Sequence, residues 1–323
     1  MDAKKNTYLL LREAGIGVAL IIICVVFAAT TPHFASYANL TNILTQISIN
    51  TVISVGMTFV ILLGGIDLSV GSVLALATIV AGLILTNEVL PVGLTVFLSV
   101  LASIVAGGLC GLFNGFVSER WKIHSFVVTL GMLNIARGAA LQISDSRTFF
   151  MFPDAFNRFG TGTVLGIPVI FVIALALVLI GNFILRKSVF GRMIYAIGNN
   201  EEAVRLSGHN TFYYKVASFV ICGAMVGIAA ILYMLRLNIA SPILGVGFEL
   251  NAIAAVVIGG TSMMGGKGSL IGTFLGASIM GVLNNGLVLI GLGDFARQMV
   301  TGFIIVAAVV IDTYRARLLT KFQ

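Results

Sequence analysis

The sequence predicts an all-α polytopic membrane protein, and three observations carry that prediction. Of its 323 residues, 59% are hydrophobic and 10% charged, where a soluble domain carries roughly 25% charged residues. Apolar stretches of about 20 residues, the length a helix needs to cross the hydrocarbon, recur along the whole chain. Lysine and arginine concentrate in alternate connections between those stretches, the asymmetry that orients a polytopic chain.

About ten spans can be drawn, forming one transmembrane domain over 1–323. The first, about 13–31, follows Lys4, Lys5 and Arg12. It is read as retained because Thr30-Thr31-Pro32-His33 offers no small-residue cleavage site. The second, 42–63, runs into Gly64-Gly65, and the third, 69–86, opens behind Asp67 and Ser69. The fourth, 92–118, contains Gly107, Gly108, Gly111 and Gly115, small residues of the kind that let helices approach closely where lipid gives no hydrophobic drive. The fifth, 125–144, carries Arg137 well inside it, and the sixth is 167–185. A polar segment of about 186–215 separates it from the seventh, 212–235. The eighth, 250–262, is short. The ninth, 269–291, again bears spaced glycines (Gly272, Gly276, Gly281), and the tenth is 295–313.

With the N terminus inside, the inner segments hold Lys4, Lys5, Arg12, Arg120, Lys122, Arg186, Lys187, Arg192, Arg205, Lys215, Lys267, Arg315, Arg317 and Lys321. The outer ones hold only Arg147, Arg158, Arg236 and Arg297. That distribution predicts both termini inside. It also accounts for the net charge of +7 without nucleic acid, since no basic patch is interleaved with aromatics. Cys24, Cys110 and Cys222 fall inside spans and are read as packing residues. His33, His124 and His209 are far apart and loop-bound, which argues against a metal. The phosphate-binding pattern Gly-x-x-x-x-Gly-Lys-Ser/Thr is absent, as is any nucleophile with its base. The chain is not expected to be an enzyme or to hold a cofactor.

Two Gly-Gly breaks interrupt the helical text, at Gly64-Gly65-Ile66-Asp67-Leu68-Ser69-Val70-Gly71-Ser72 and at Gly259-Gly260-Thr261-Ser262 through Gly265-Gly266-Lys267-Gly268-Ser269. Asp67 or Ser69 would cap the third span and Ser269 the ninth. The outer segment Asp145 to Gly166 holds Phe149, Phe150, Phe152 and Phe156, expected as exposed aromatics of an interfacial belt or of a platform for an outside partner.

The first break resembles a signature of sugar permeases of the ribose/galactose/xylose class, membrane subunits of ATP-driven (ABC) importers. So do Tyr195-Ala196-Ile197-Gly198-Asn199-Asn200-Glu201-Glu202-Ala203-Val204-Arg205-Leu206-Ser207-Gly208 and Glu249-Leu250-Asn251 through Thr261-Ser262. Gly265-Gly266-Lys267-Gly268 and Leu283-Asn284-Asn285-Gly286-Leu287 extend the resemblance over roughly 39–312.

The resemblance implies a type II-like importer permease fold with broken helices, in a bacterial cytoplasmic (inner) membrane. It also implies three kinds of partner: a second permease subunit forming a homodimer, a cytosolic ABC ATPase carrying ATP–Mg, and a periplasmic or lipid-anchored sugar-binding protein. Glu202, Ala203 and Gly208 fall on the Glu-Ala-Ala-x-x-x-Gly coupling-loop pattern. Val204 stands where the second Ala would be, accommodated if it faces the loop's own interior. A short helix over Glu201 to Leu206, ended by Gly208, would seat in an ATPase groove, with Glu201, Glu202, Ala203, Val204, Arg205 and Gly208 as the coupling residues. Asn251 stands where the family usually has Asp, which removes a charge near the outer mouth.

Path or gate candidates are Asp67, Ser69, Asn114, Arg137, Glu249, Asn251, Asn284 and Asn285. Arg137 either snorkels outward, pairs with Asp145 or is held within the bundle. The amides of Asn50, Asn114, Asn134, Asn284 and Asn285 are read as interior. The implied activity is import of a ribose-like pentose or hexose by alternating access. The rivals are a branched-chain amino-acid-type permease and a secondary transporter; the latter would want more membrane-embedded ionisable groups than Arg137 and Asp67.

Overall fold

The computed structural model describes residues 2–87 and 89–321, with side chains described between 13 and 310. Its helices, in order, are α1 (Asp2–Thr30), α2 (Tyr37–Leu62), α3 (Val70–Leu85), α4 (Val92–Trp121), α5 (Ser125–Ile143), α6 (Asp154–Thr161), α7 (Val169–Lys187), α8 (Val189–Asn199), α9 (Glu201–Leu206), α10 (Thr211–Leu237), α11 (Phe248–Ile258), α12 (Leu270–Leu289) and α13 (Asp294–Lys321). Two antiparallel pairs of two-residue strands join Phe149–Phe150 to Ile239–Ala240 and Thr163–Val164 to Ile167–Pro168. The anchors Lys4, Lys5, Arg12, Arg315, Arg317 and Lys321 lie outside the residues whose side chains are described.

A helix occupies each of the ten expected spans, but they are not alike. Seven, namely α1, α2, α4, α5, α7, α10 and α12, are long and apolar enough among the described residues to cross a membrane. The expected spans at 69–86 and 250–262 are helices of 16 and 11 residues. At 1.5 Å per residue these reach about 24 and about 16 Å, short of the roughly 30 Å of hydrocarbon. Irregular backbone completes their course: Leu63 to Ser69 ahead of α3, and Ser241 to Gly247 ahead of α11. The two segments touch, since Gly71 in the first turn of α3 lies hard against the Gly245 carbonyl. Such backbone persists at depth only under cover of other protein. Asp67, Ser69 and Ser241 are accordingly buried.

The core follows from helices that are apolar all round. In α2 every residue from Ile47 to Leu62 is buried except Asn50, and α10, α11, α12 and α7 surround it. The most extensive pairing is α4 with α10. There Gly107 faces Gly223, Gly111 faces the Phe219 carbonyl and Gly227 faces the Ser103 carbonyl. A Cβ at any of them would overlap backbone of the other helix. Ser103 Oγ adds a hydrogen bond to the Gly227 carbonyl at 2.8 Å. These glycines thus carry the close backbone approach that substitutes for hydrophobic drive in lipid. Cys24, Cys110 and Cys222 are free thiols in helices.

Two expectations are corrected, and one choice left open is decided. The outer aromatics are not uniformly exposed. Phe150 is, whereas Phe152 and Phe156 are buried edge-to-face with centroids 5.8 Å apart, because Phe152 ahead of α6 and Phe156 within it both pack into the main core. Asn134 is exposed and donates to the Leu130 carbonyl of its own helix, at 3.2 Å, since α5 buries a different face. Ser69 occupies the N-cap position of α3 without capping through its side chain. Of the two residues offered, Asp67 is the one that bonds there, accepting the Ser69 N–H at 2.9 Å just ahead of the helix. At α12 the expected cap holds, with Gly272 N–H donating to Ser269 Oγ at 3.0 Å.

Candidate coupling surface and translocation path

The polar segment between α7 and α10 folds into two short helices. Asn200 Oδ1 accepts the Ala203 N–H at 3.0 Å and starts α9, which ends as Gly208 adopts φ +86°, a conformation that favours glycine. Of the expected coupling residues, Glu202, Ala203 and Arg205 face outward with Leu206. Glu202 and Arg205 form an exposed pair at 2.7 Å. Val204 is buried, so the position that departs from the coupling pattern points inward and leaves the outer face unaltered.

Glu201 faces the bundle, unlike Glu202. Its carboxylate meets Lys215 Nζ at 2.7 Å and receives the Thr211 hydroxyl at 3.3 Å. Lys215 Nζ also meets Glu119 at 2.9 Å, and Glu119 holds Lys122 at 3.2 Å. Lys215 is therefore a hub that ties α9 to the ends of α4 and α10. Burial works to raise the Glu201 pKa, but the hydrogen bond and charge of Lys215, with Thr211, outweigh it and leave the carboxyl below its ordinary range. A depressed carboxylate stabilises only where it is ionised. This tie is complete above the ordinary glutamate range and is lost as pH falls through the lowered value.

Beneath α9, the end of α8 is fastened to both Gly-Gly breaks. Gly266 N–H donates to the Leu62 carbonyl at 2.8 Å, joining the breaks to each other. Gly198 lies directly against that pair. Tyr195 Oη donates to the Gly268 carbonyl at 2.9 Å, and Asn199 Nδ2 to the Gly266 carbonyl at 3.3 Å. Burial, the largest influence, raises the Tyr195 pKa and keeps its hydroxyl a donor. From α1, Glu13 receives the Ser269 hydroxyl at 2.6 Å and lies 3.6 Å from Arg186.

Asp67, Ser69 and Asn114 come together. Ser69 donates its hydroxyl to Asp67 Oδ1 at 2.6 Å, and Asn114 Nδ2 donates to Ser69 Oγ at 3.0 Å. Arg137 neither snorkels nor reaches Asp145. It donates to the carbonyls of Pro242 and Leu244, the latter at 2.8 Å, and so holds the irregular segment ahead of α11. Glu249 Oε1 accepts the Gly247 N–H at 3.3 Å and caps its own helix. Asn285 is withdrawn from any path by a reciprocal amide pair with Asn39 at 2.9 and 3.0 Å. Asn251 and Asn284 do meet, in a cavity of about 260 Å³ between α2, α10, α11 and α12. It lies at the last turn of α10, the end away from α9.

The sequence marked Lys215 and Arg236 only as inner and outer cations and left Gln46, Tyr233 and Phe248 of this cavity unremarked. The amide spacing Gln46 to Asn50, four apart on one helix face, was the available signal. No cluster of three or more His, Cys, Asp or Glu suited to a metal occurs among the described residues.

Residues 39–309 match the family model described as branched-chain amino acid transport system / permease component. Among curated proteins the chain is similar to the ribose import permease of Haemophilus influenzae, at 41% identity covering 92% of each chain. The ribose import permease of Bacillus subtilis is 38% identical, over 94% of this chain and 93% of that one. The D-allose transport system permease of Escherichia coli is 36% identical, over 94% and 90%. No solved structure matches. The chain belongs to this family of permease components and is a transport subunit.

Proposed function

We propose that this permease component is the membrane-spanning subunit of an ATP-driven importer that moves a monosaccharide, a ribose-like pentose or a hexose, into the cytoplasm by alternating access. The cargo class is supported by the names of its relatives, which are ribose and allose permeases. The single observation that carries the coupling role is the construction of α9. It presents Glu202, Arg205 and Leu206 outward on a stem fixed to both helix breaks. A force on α9 is thereby delivered to α2, α3, α11 and α12 together.

In this reading a cytosolic ATPase holding ATP–Mg seats α9, a second copy of this subunit completes the permease, and a sugar-binding protein delivers cargo from outside. The whole chain acts as one transmembrane domain, with Glu202, Ala203, Arg205 and Gly208 forming the docking element and Glu201 and Val204 securing it. Both termini lie in the cytoplasm of a bacterial cell, as the basic connections around α8 and α9 support. Arg137 and the Asp67–Ser69–Asn114 group hold the broken helices rather than touch cargo, and Asn251 and Asn284 line the path.

The exposed pair gives a direct test. Glu202→Arg places two cations side by side on α9 and is expected to leave the subunit in the membrane while lowering co-purification of the ATPase at least tenfold. Undiminished co-purification contradicts the coupling role.

A further inference from the structure

Four amide side chains converge on the cavity between α2, α10, α11 and α12: Gln46, Asn50, Asn251 and Asn284. All four are half-buried, and none makes a side-chain hydrogen bond among the described residues. This contrasts with Asn39, Asn42, Asn114, Asn199 and Asn285, whose amides are engaged. Helix geometry aims them, because Gln46 and Asn50 lie four apart on α2, Phe248 and Asn251 three apart on α11, and Gly281 and Asn284 three apart on α12. Tyr233 and Phe248 form one wall, with ring centroids 5.7 Å apart. Arg236 borders it, held by its hydrogen bond to Asn42 Oδ1 at 3.0 Å. No carboxylate lines the cavity.

We propose that this cavity is a specific binding subsite for one neutral sugar ring, which rests on the importer reading given above. An amide offers a donor and an acceptor together, which matches hydroxyl groups that do both. The aromatic wall matches the C–H face of a ring, and Arg236 supplies further donors. The absence of a carboxylate leaves no opposite charge to balance the ammonium group of an amino acid. The volume of about 260 Å³ lies just below the roughly 300–1,000 Å³ of clefts for drug-sized ligands, so it suits one ring and not two. Half-exposed amides bind weakly enough for cargo to leave, as a conduit requires.

The test measures saturable binding of D-ribose, D-allose, L-arabinose, maltose and L-leucine to the purified chain in lipid nanodiscs, beside ATP-driven uptake of the same compounds by the complete reconstituted transporter. At least one of the three monosaccharides is expected to bind, and maltose and leucine are not. Asn251→Ala and Asn284→Ala should each weaken that binding about five- to tenfold, as loss of one hydrogen bond predicts. Asn134→Ala, on the far face of α5, should not. Retained ATPase co-purification shows that each variant is folded, and Asn251→Gln, which keeps the amide, should recover part of the affinity. If a monosaccharide is taken up while binding is absent, or is unmoved by Asn251→Ala and Asn284→Ala, the subsite is overturned and the importer reading stands. If leucine alone binds and is transported, both are overturned.

Discussion

Replacing Gly198 by alanine is expected to reduce ATP-driven sugar uptake by more than tenfold while leaving the chain inserted in the membrane. Gly198 sits in the last turn of α8 against the Leu62 carbonyl and the Gly266 N–H, which are hydrogen-bonded to each other at 2.8 Å. Two effects oppose each other. Alanine favours the helix by up to about 1 kcal/mol over glycine, whereas overpacking a tight contact costs about 1–3 kcal/mol. Here the colliding atoms are backbone, so no side chain can rotate away, and the unfavourable effect wins. The junction between the two breaks must open or α8 must lift from it. Either change detaches α9 from the helices that the proposed coupling would move, while the glycine-mediated α4–α10 contact is untouched. Uptake and ATP hydrolysis measured in the same vesicles decide the matter: hydrolysis without transport is expected, and wild-type transport contradicts the role given to the junction.

Asp67→Ala is expected to be the most destabilising single truncation outside the apolar core. Asp67 is 2% exposed and receives both the N–H and the hydroxyl of Ser69, with Asn114 completing the group. Removing the carboxylate orphans two buried donors at the start of α3. Each orphan costs about 1–3 kcal/mol, and both lie in a segment buried under other protein. A loss of about 2–6 kcal/mol follows, read as a lowered midpoint of thermal unfolding in detergent. Asp67→Asn keeps one acceptor oxygen for Ser69 and should recover most of the loss. An unchanged midpoint for Asp67→Ala would show that the irregular segment is not held by this group.

What the sequence revealed and what it hid divide along a physical line. Features encoded within one helix turn or one span were legible. The apolar stretches are helical, seven of them long enough to cross a membrane among the described residues, α9 begins and ends where Glu201, Leu206 and Gly208 said it would, and Ser269 caps α12. Features that depend on which face of a helix meets another were not. Asn134, Asn284 and Asn285 look equivalent in the text, yet one faces outward, one lines a cavity and one is locked to Asn39. The cavity draws on four helices spread from Gln46 to Asn284, so no local pattern announces it. Lys215 reads as one more inner cation until α9 folds back and brings Glu201 within 2.7 Å. The short eighth span and the Gly-Gly break ahead of the third were legible, and they became α11 and the irregular approach to α3. The irregular course of Ser241 to Gly247 was not, because it depends on the packing that covers Ser241 and on the Gly71–Gly245 contact.

The most direct measurement of the central claim is uptake of labelled D-ribose, D-allose and L-arabinose into vesicles. These would contain this chain with the proposed partner ATPase and sugar-binding protein, each component and ATP being omitted in turn. Uptake of at least one sugar that requires all three proteins and ATP is the predicted result. Uptake by this chain alone, driven by an ion gradient and indifferent to ATP, would contradict it.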